Sequence, residues 1–162
     1  MKKLAGVALL TLCGLTSTSA LAADSTVTAD LVLEKLQPAD ALTTVRSLAE
    51  VRGVEALDER TVRVTDDAGR VAVAKVAIDV AEHPSVVADE IPTRTLADGS
   101  VIASVRLEHA SVMDVMRALR KEVGIRKVVV LTELSTVIVR DTAAQVESAL
   151  AVIRQMEASK GQ

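Results

Sequence analysis

The chain holds two histidines, His83 and His109, and any imidazole base or zinc-type site would have to be built on them. Nothing in their spacing makes a ligand set. His83 precedes Pro84 in a connecting stretch, and His109 stands just ahead of a helix start. The carboxylates Asp66, Asp67, Asp79, Asp89 and Glu90 raise paired-carboxylate acid–base chemistry. Asp66 and Asp141, however, occupy equivalent strand-to-helix corners, where a carboxylate accepts from free helix amides and complements the helix dipole. Capping is the expected use, and Asp40, Ser111, Asp141 and Thr142 are the expected helix caps. No serine lies in a Gly-x-Ser-x-Gly elbow, and the seven glycines are too dispersed for a phosphate loop. No catalytic residue, cofactor site or metal site is expected, and the chain is read as a non-enzyme. One cluster offers something else. Arg117, Arg120, Lys121, Arg126 and Lys127 gather cations around one helix end, as a solvated face or as a docking patch for an acidic partner.

The elements that carry these residues are built from aliphatic side chains. Hydrophobic residues make up 49% of the chain, yet Phe, Tyr and Trp are absent, which argues against base stacking, sugar platforms and aromatic cages. Residues 1–22 read as a secretory signal peptide, with Lys2 and Lys3, an apolar run over 4–15 and an Ala20-Leu21-Ala22 cleavage site. Cleavage after Ala22 implies export, most simply to a bacterial periplasm. Cys13 is the only cysteine and lies inside the apolar run. Leu12 stands before it where a lipoprotein signal carries a small residue, so lipid attachment there is not expected. After cleavage no thiol remains for disulfides, thiol catalysis or thiolate metal binding. No later stretch reaches ~18 consecutive apolar residues, so no integral membrane span is expected in the mature chain. Losing Lys2 and Lys3 takes the formal charge from −3 to −5, a poor balance for nucleic acid or anionic membrane.

In chain order, residues 27–36 alternate loosely as a strand. Pro38 and Asp40 mark a helix start, and Ala41, Leu42, Val45, Leu48 and Ala49 form its apolar stripe. Gly53 is placed in the left-handed position past the helix end. A hairpin turns at 58–60. Residues 66–81 fit a strand through Val71 and Val73 or a helix through Val71, Ala74, Ile78 and Ala81; comparison with the later copy favours helix. Residues 84–100 form a linker or hairpin ending in Asp98-Gly99, with 93–96 able to pair with the strand that follows. Val101, Ala103, Val105 and Leu107 alternate. Val112, Val115, Met116, Leu119 and Val123 then make a helical stripe that Gly124 closes. A hairpin around 133–135 and a last helix from about 143 to 158 complete the chain, with 159–162 frayed.

Two tandem copies of one small unit follow from that order. A shift of 71 places Leu36 on Leu107, Arg46 on Arg117, Leu48 on Leu119 and Gly53 on Gly124. A shift of 75 places Thr61 on Thr136, Asp66 on Asp141, Val71 on Val146 and Ile78 on Ile153. The expected fold is α+β: two βαββα modules, at 23–83 and 101–158, each a short sheet with two helices on one face. The stretch from Val105 to Val115 with Gly124, and the phrase 136–142 with Gln145, Val146, Ala149 and Ile153, resembles the periplasmic N-domain modules of bacterial secretins. That resemblance implies assembly rather than catalysis, with protein partners in secretion or type IV pilus machinery or self-association. The chain is expected to lack the channel-forming β-domain and to be a free-standing module pair. The order is also similar to RNA-binding KH domains, but their Gly-x-x-Gly loop is missing after both Gly53 and Gly124. A lipid- or stress-associated envelope protein is the second reading, and an enzyme inhibitor or enzyme the third.

Overall fold

The computed structural model describes residues 26–87 and 90–161. The leader, its cleavage site, Cys13 and Asp89 lie outside the described residues. The fold is α+β. The first half runs β1 (Thr26–Val32), α1 (Pro38–Thr44) with a π-helical turn (Val45–Ala49), β2 (Gly53–Ala56), β3 (Thr61–Asp67) and α2 (Ala68–Glu82). The connector carries β4 (Ser85–Val86) and β5 (Arg94–Thr95). The second half runs β6 (Val101–Arg106), α3 (Val112–Ala118) with a π-helical turn (Leu119–Val123), β7 (Lys127–Leu131), β8 (Thr136–Asp141) and α4 (Ala143–Lys160). The first sheet has the antiparallel order β1-β3-β2. In the second, β6-β8-β7 repeats that arrangement, and the outer edge of β6 is covered by β5 antiparallel at its start and β4 parallel at its end.

Burial patterns tell the two sheets apart. Strand β3 alternates, with Val62 and Val64 fully buried between half-exposed neighbours, so the first sheet keeps one face in water. Strands β6 and β8 are buried at nearly every position. Ala103, Val105, Val128, Val137 and Val139 face one core with Val115, Leu119, Val146, Ala149 and Ile153 of the second-half helices. Ile102, Val129, Leu131 and Ile138 point the other way, into the core built by Val45, Leu48, Val73, Ala77 and Val80. The layers are therefore sheet, helices, sheet, helices. The two second-half helices share one face of the second sheet, and the first-half helices cover its other face.

Matching hydrogen bonds recur in the two halves. The Leu33 amide donates to the Arg60 carbonyl as the Leu107 amide does to Ser135, and Ala41 to Gln37 as Val115 does to Ser111. These place the halves 74 residues apart up to the hairpin. Asp66 and Asp141, each accepting from the next backbone amide at 2.8 Å, place them 75 apart after it. Pairing Gly53 with Gly124 gives an offset of 71 in the first part, and the structure gives 74. Gly124 is indeed left-handed, at φ 78°, but its counterpart in the first half is Glu50, at φ 55°. Gly53 instead opens β2, where an added Cβ would lie 2.7 Å from the Thr65 carbonyl oxygen. Gly53→Ala is expected to push β2 off β3 and to cost about 1–3 kcal/mol in urea denaturation.

Other boundaries shift for local reasons. β1 ends at Val32 rather than Leu36, because the amides of 34–36 turn to a buried carboxylate described below. Residues 68–82 are helical, as favoured. β5 pairs with β6 as allowed for, β4 was not anticipated, and α4 continues through Ser159 and Lys160, which were expected to fray. Two buried hydroxyls, Ser104 Oγ and Thr44 Oγ1, have no hydrogen-bond partner among the described residues. Ser104→Ala removes an unsatisfied buried polar group and is expected to leave stability unchanged or raise it by up to about 1 kcal/mol, read as an unchanged or higher urea midpoint.

Candidate functional site

Two carboxylates organise equivalent corners. Glu82, in the last turn of α2 and 3% exposed, accepts from the amides of Glu34 (3.0 Å), Lys35 (2.7 Å) and Leu36 (3.1 Å). Glu157, in α4 and 6% exposed, accepts from Glu108 (3.2 Å), His109 (3.1 Å) and Ala110 (2.8 Å). Each long helix thereby fixes the loop that enters the first helix of its half. His109 Nδ1 lies 3.2 Å from Glu157 Oε2, so this histidine belongs to the anchor. Burial pushes the Glu157 carboxyl up, but the Ala110 and Glu108 amides and the His109 ring outweigh it and hold the group below its ordinary 4.5. His83 hydrogen-bonds at 3.1 Å with the Asp79 carbonyl and has the Asp79 and Glu34 carboxylates at 3.5 and 3.8 Å. No group of three or more metal-ligating side chains occurs among the described residues.

The junction between the halves is held by Arg140, which is 5% exposed. It sits on β8 with the parity of Ile138 and so points toward the first-half helices. Its Nη1 donates to the Leu48 carbonyl at the end of the first helix, its Nη2 to the Asp98 carboxylate, and its Nε to Ser100 Oγ at 2.9 Å. One planar guanidinium thus joins the first helix, the connector turn and the second sheet. The Ser100 hydroxyl, acting against burial and aided by the Ser100 amide and Arg140, lowers the Asp98 carboxyl from 3.8 to about 2. In sequence Arg140 reads only as part of a strand-to-helix corner. The available signal was its alternation with Val139 and Ile138 in a strand buried on both faces. Lys127 adds a second bridge to the first half, 3.1 Å from Glu50.

Two of the five residues of the basic patch form ion pairs. Arg117 pairs with Asp114 at 2.9 Å on its own helix, and Lys127 is drawn to Glu50. Arg120, Lys121 and Arg126 are exposed and form no ion pair among the described residues. Of the expected caps, Thr142 accepts from the Gln145 amide at 3.4 Å, and Asp141 accepts from Thr142. Ser111 holds the cap position of α3 without a side-chain bond. Asp40 is corrected: the cap position of α1 is Gln37, Pro38 is first in the helix, and Asp40 lies in the first turn, where it complements the dipole. Asp67, which sequence reasoning did not name as a cap, caps α2 by accepting from the Arg70 amide at 3.0 Å.

The outward faces at the two ends of the layered stack carry polar groups, beside an exposed Val32 on β1. On the first sheet, Thr28 and Thr65 bond across strands at 3.0 Å, and Arg63 clasps Asp30 at 2.8 and 2.9 Å. On α4, Ser148 and Gln155 are exposed where the corresponding Val73 and Val80 of α2 are buried. A cleft of about 620 Å³ between the halves is lined by Lys35, Glu82, Pro84, Arg106, Glu133 and Leu134, among others.

No family model and no curated protein sequence matches the chain. Among solved structures it is similar to the N-terminal domain of the secretin XcpQ from Pseudomonas aeruginosa, at 13% identity and a TM-score of 0.35, covering 81% of this chain and 61% of that one. It is also similar to Aeromonas hydrophila ExeD, at 14% identity and a TM-score of 0.32, covering 83% of this chain and 29% of that one. The secretin GspD of E. coli K12 is similar at 15% identity and a TM-score of 0.32, covering 83% and 26%. The chain thus spans under two thirds of each of these structures. The resemblance to secretin N-domains expected from the sequence is borne out as a likeness, and no residue role is carried over from it. No helix among the described residues is long and apolar enough to cross a membrane.

Proposed function

We propose that this is an exported protein-interaction module of the bacterial envelope, an accessory of a secretion or type IV pilus system built from two copies of one βαββα unit. The copies span 23–83 and 101–158, joined by 84–100 and preceded by a signal peptide removed after Ala22. One observation carries the reading: helices of one unit seat on the sheet of the next through a buried junction clamped by Arg140. A unit with this surface is built to stack on protein, and its anchors, Glu82 and Glu157, serve architecture. The secretin-like phrase at 136–142 and the acidic mature charge support the same reading, and the function is not enzymatic. The test is in-cell crosslinking followed by capture from the periplasm. Recovery of secretion or pilus proteins, or of a self-complex, is expected. A strictly monomeric protein that captures nothing overturns the proposal, as does flotation with liposomes in the absence of protein partners.

A further inference from the structure

The outer edge of β6 is covered by the connector, and that of β1 is bare. The Leu33 amide donates to the Arg60 carbonyl, so Leu31 and Ala29 also turn their backbone groups to β3, while Thr28, Asp30 and Val32 turn theirs outward. Their counterparts, 74 residues on, are Ile102, Ser104 and Arg106. There β5 pairs Arg94 with Ile102, and β4 pairs Ser85 with Val105 and Val86 with Arg106. The same connector packs Ile91 and Val87 against the core that holds Leu150 and Ile153 of α4. Among the described residues no strand pairs with the outer edge of β1. That strand has neither lysine nor proline to guard a bare edge, and it ends on Val32, which is 71% exposed. Beside the edge runs a groove of about 240 Å³, lined by Leu31, Val32, Lys75, Ile78 and Asp79, among others. Lys75 and Ile78 stand where α4 has Leu150 and Ile153. Asp30 is held by Arg63 and Asp79 by Arg94, whereas Lys75 is exposed and forms no ion pair among the described residues.

We propose that β1 takes up an extended segment of a partner protein as an added strand, with an aliphatic side chain in the groove and an acidic one on Lys75. The connector on β6 shows in this molecule what such an edge accepts: extended chain whose backbone bonds the outward groups and whose aliphatic side chains pack below. Lysine in place of a buried leucine adds the preference for an acid. The proposal rests on the interaction-module reading and gives the partner its chemistry. The probe is an acetylated, amidated peptide of residues 84–92, which carries Val86, Val87 and Ile91 beside Asp89 and Glu90. Hydrogen exchange and ¹⁵N NMR of the whole protein are followed as the peptide is added. The amides of Thr28, Asp30 and Val32 are expected to gain protection saturably, and those of Ala29 and Leu31, already bonded to β3, to change little. Val32→Pro removes an outward amide and should abolish binding. Lys75→Glu, at an exposed position, should weaken it several-fold, as should a peptide with Asn and Gln at 89 and 90. Protection that is absent, that falls on β6 or β7 instead, or that is indifferent to both variants overturns the proposal. So does protection of the β1 edge by a second copy alone, lost on dilution without peptide. Envelope partners recovered by crosslinking while this edge binds nothing would sink the strand-addition proposal and leave the module reading standing, so the two failures are distinguishable.

Discussion

Arg140→Ala is expected to destabilise the protein by about 3–5 kcal/mol, the usual loss on breaking a buried, hydrogen-bonded charge cluster. The residue is 5% exposed, and its removal orphans the Leu48 carbonyl and opens a void between the second sheet and the first-half helices. Against a total stability of about 5–15 kcal/mol for a domain of this kind, that loss is large. Urea denaturation measures it. Arg140→Lys is expected to recover little, because one ammonium on a flexible stem cannot reach Leu48, Asp98 and Ser100 together. The pH dependence is a second readout. Asp98 titrates at about 2 in the fold against 3.8 ordinarily, so its contribution is complete above pH 3.8 and lost as pH falls toward 2. Part of that acid-range loss should vanish in Arg140→Ala, while the part owed to Ser100 remains. A variant within about 1 kcal/mol of wild type would show that the clamp is not what joins the halves.

Glu157→Ala is expected to cost about 3–5 kcal/mol, and Glu82→Ala a similar amount, because each leaves three backbone amides without their acceptor. Glutamine in place of Glu157 keeps one acceptor oxygen and should recover part of the loss. Glu157 is held below 4.5 in the fold, so its contribution is present above that value and lost as pH falls through the lowered folded value. Hydrogen exchange localises the effect: the amides of Glu108, His109 and Ala110 should lose protection first in the Glu157 variant, and those of Glu34, Lys35 and Leu36 in the Glu82 variant. Uniform loss of protection in either variant would mean that these carboxylates support the whole fold rather than their own corners.

Periodicity and punctuation carried most of the secondary structure. Val62 and Val64, Val112 through Val123, and Val146 through Ile153 lie on the faces their spacing requires, since a strand alternates every two residues and a helix returns every three to four. Left-handed Gly124 and the Thr142 cap are similarly local, because each depends on one residue's own backbone and its neighbours. Local logic failed at Gly53. The position needs glycine for a strand passing close by, and that strand becomes visible only once β3 is in place.

The candidate site was harder to read because its groups are distant in the chain. Glu82 lies more than forty residues from the amides it binds, and Arg140 ninety-two from Leu48. In sequence the first resembles one more helix-surface acid and the second a turn residue. The basic patch shows the converse: of five cations close in sequence, Arg117 pairs with Asp114 and Lys127 with Glu50 once those carboxylates are positioned.

The order of elements, the α+β class and the aliphatic core are properties of short-range pattern, and the chain's own residues settle them. That both faces of the second sheet stay dry, and where Arg140 places its three bonds, are consequences of two layers meeting. Burial changes the energetics of a charge and its partners, and burial is decided where distant segments pack.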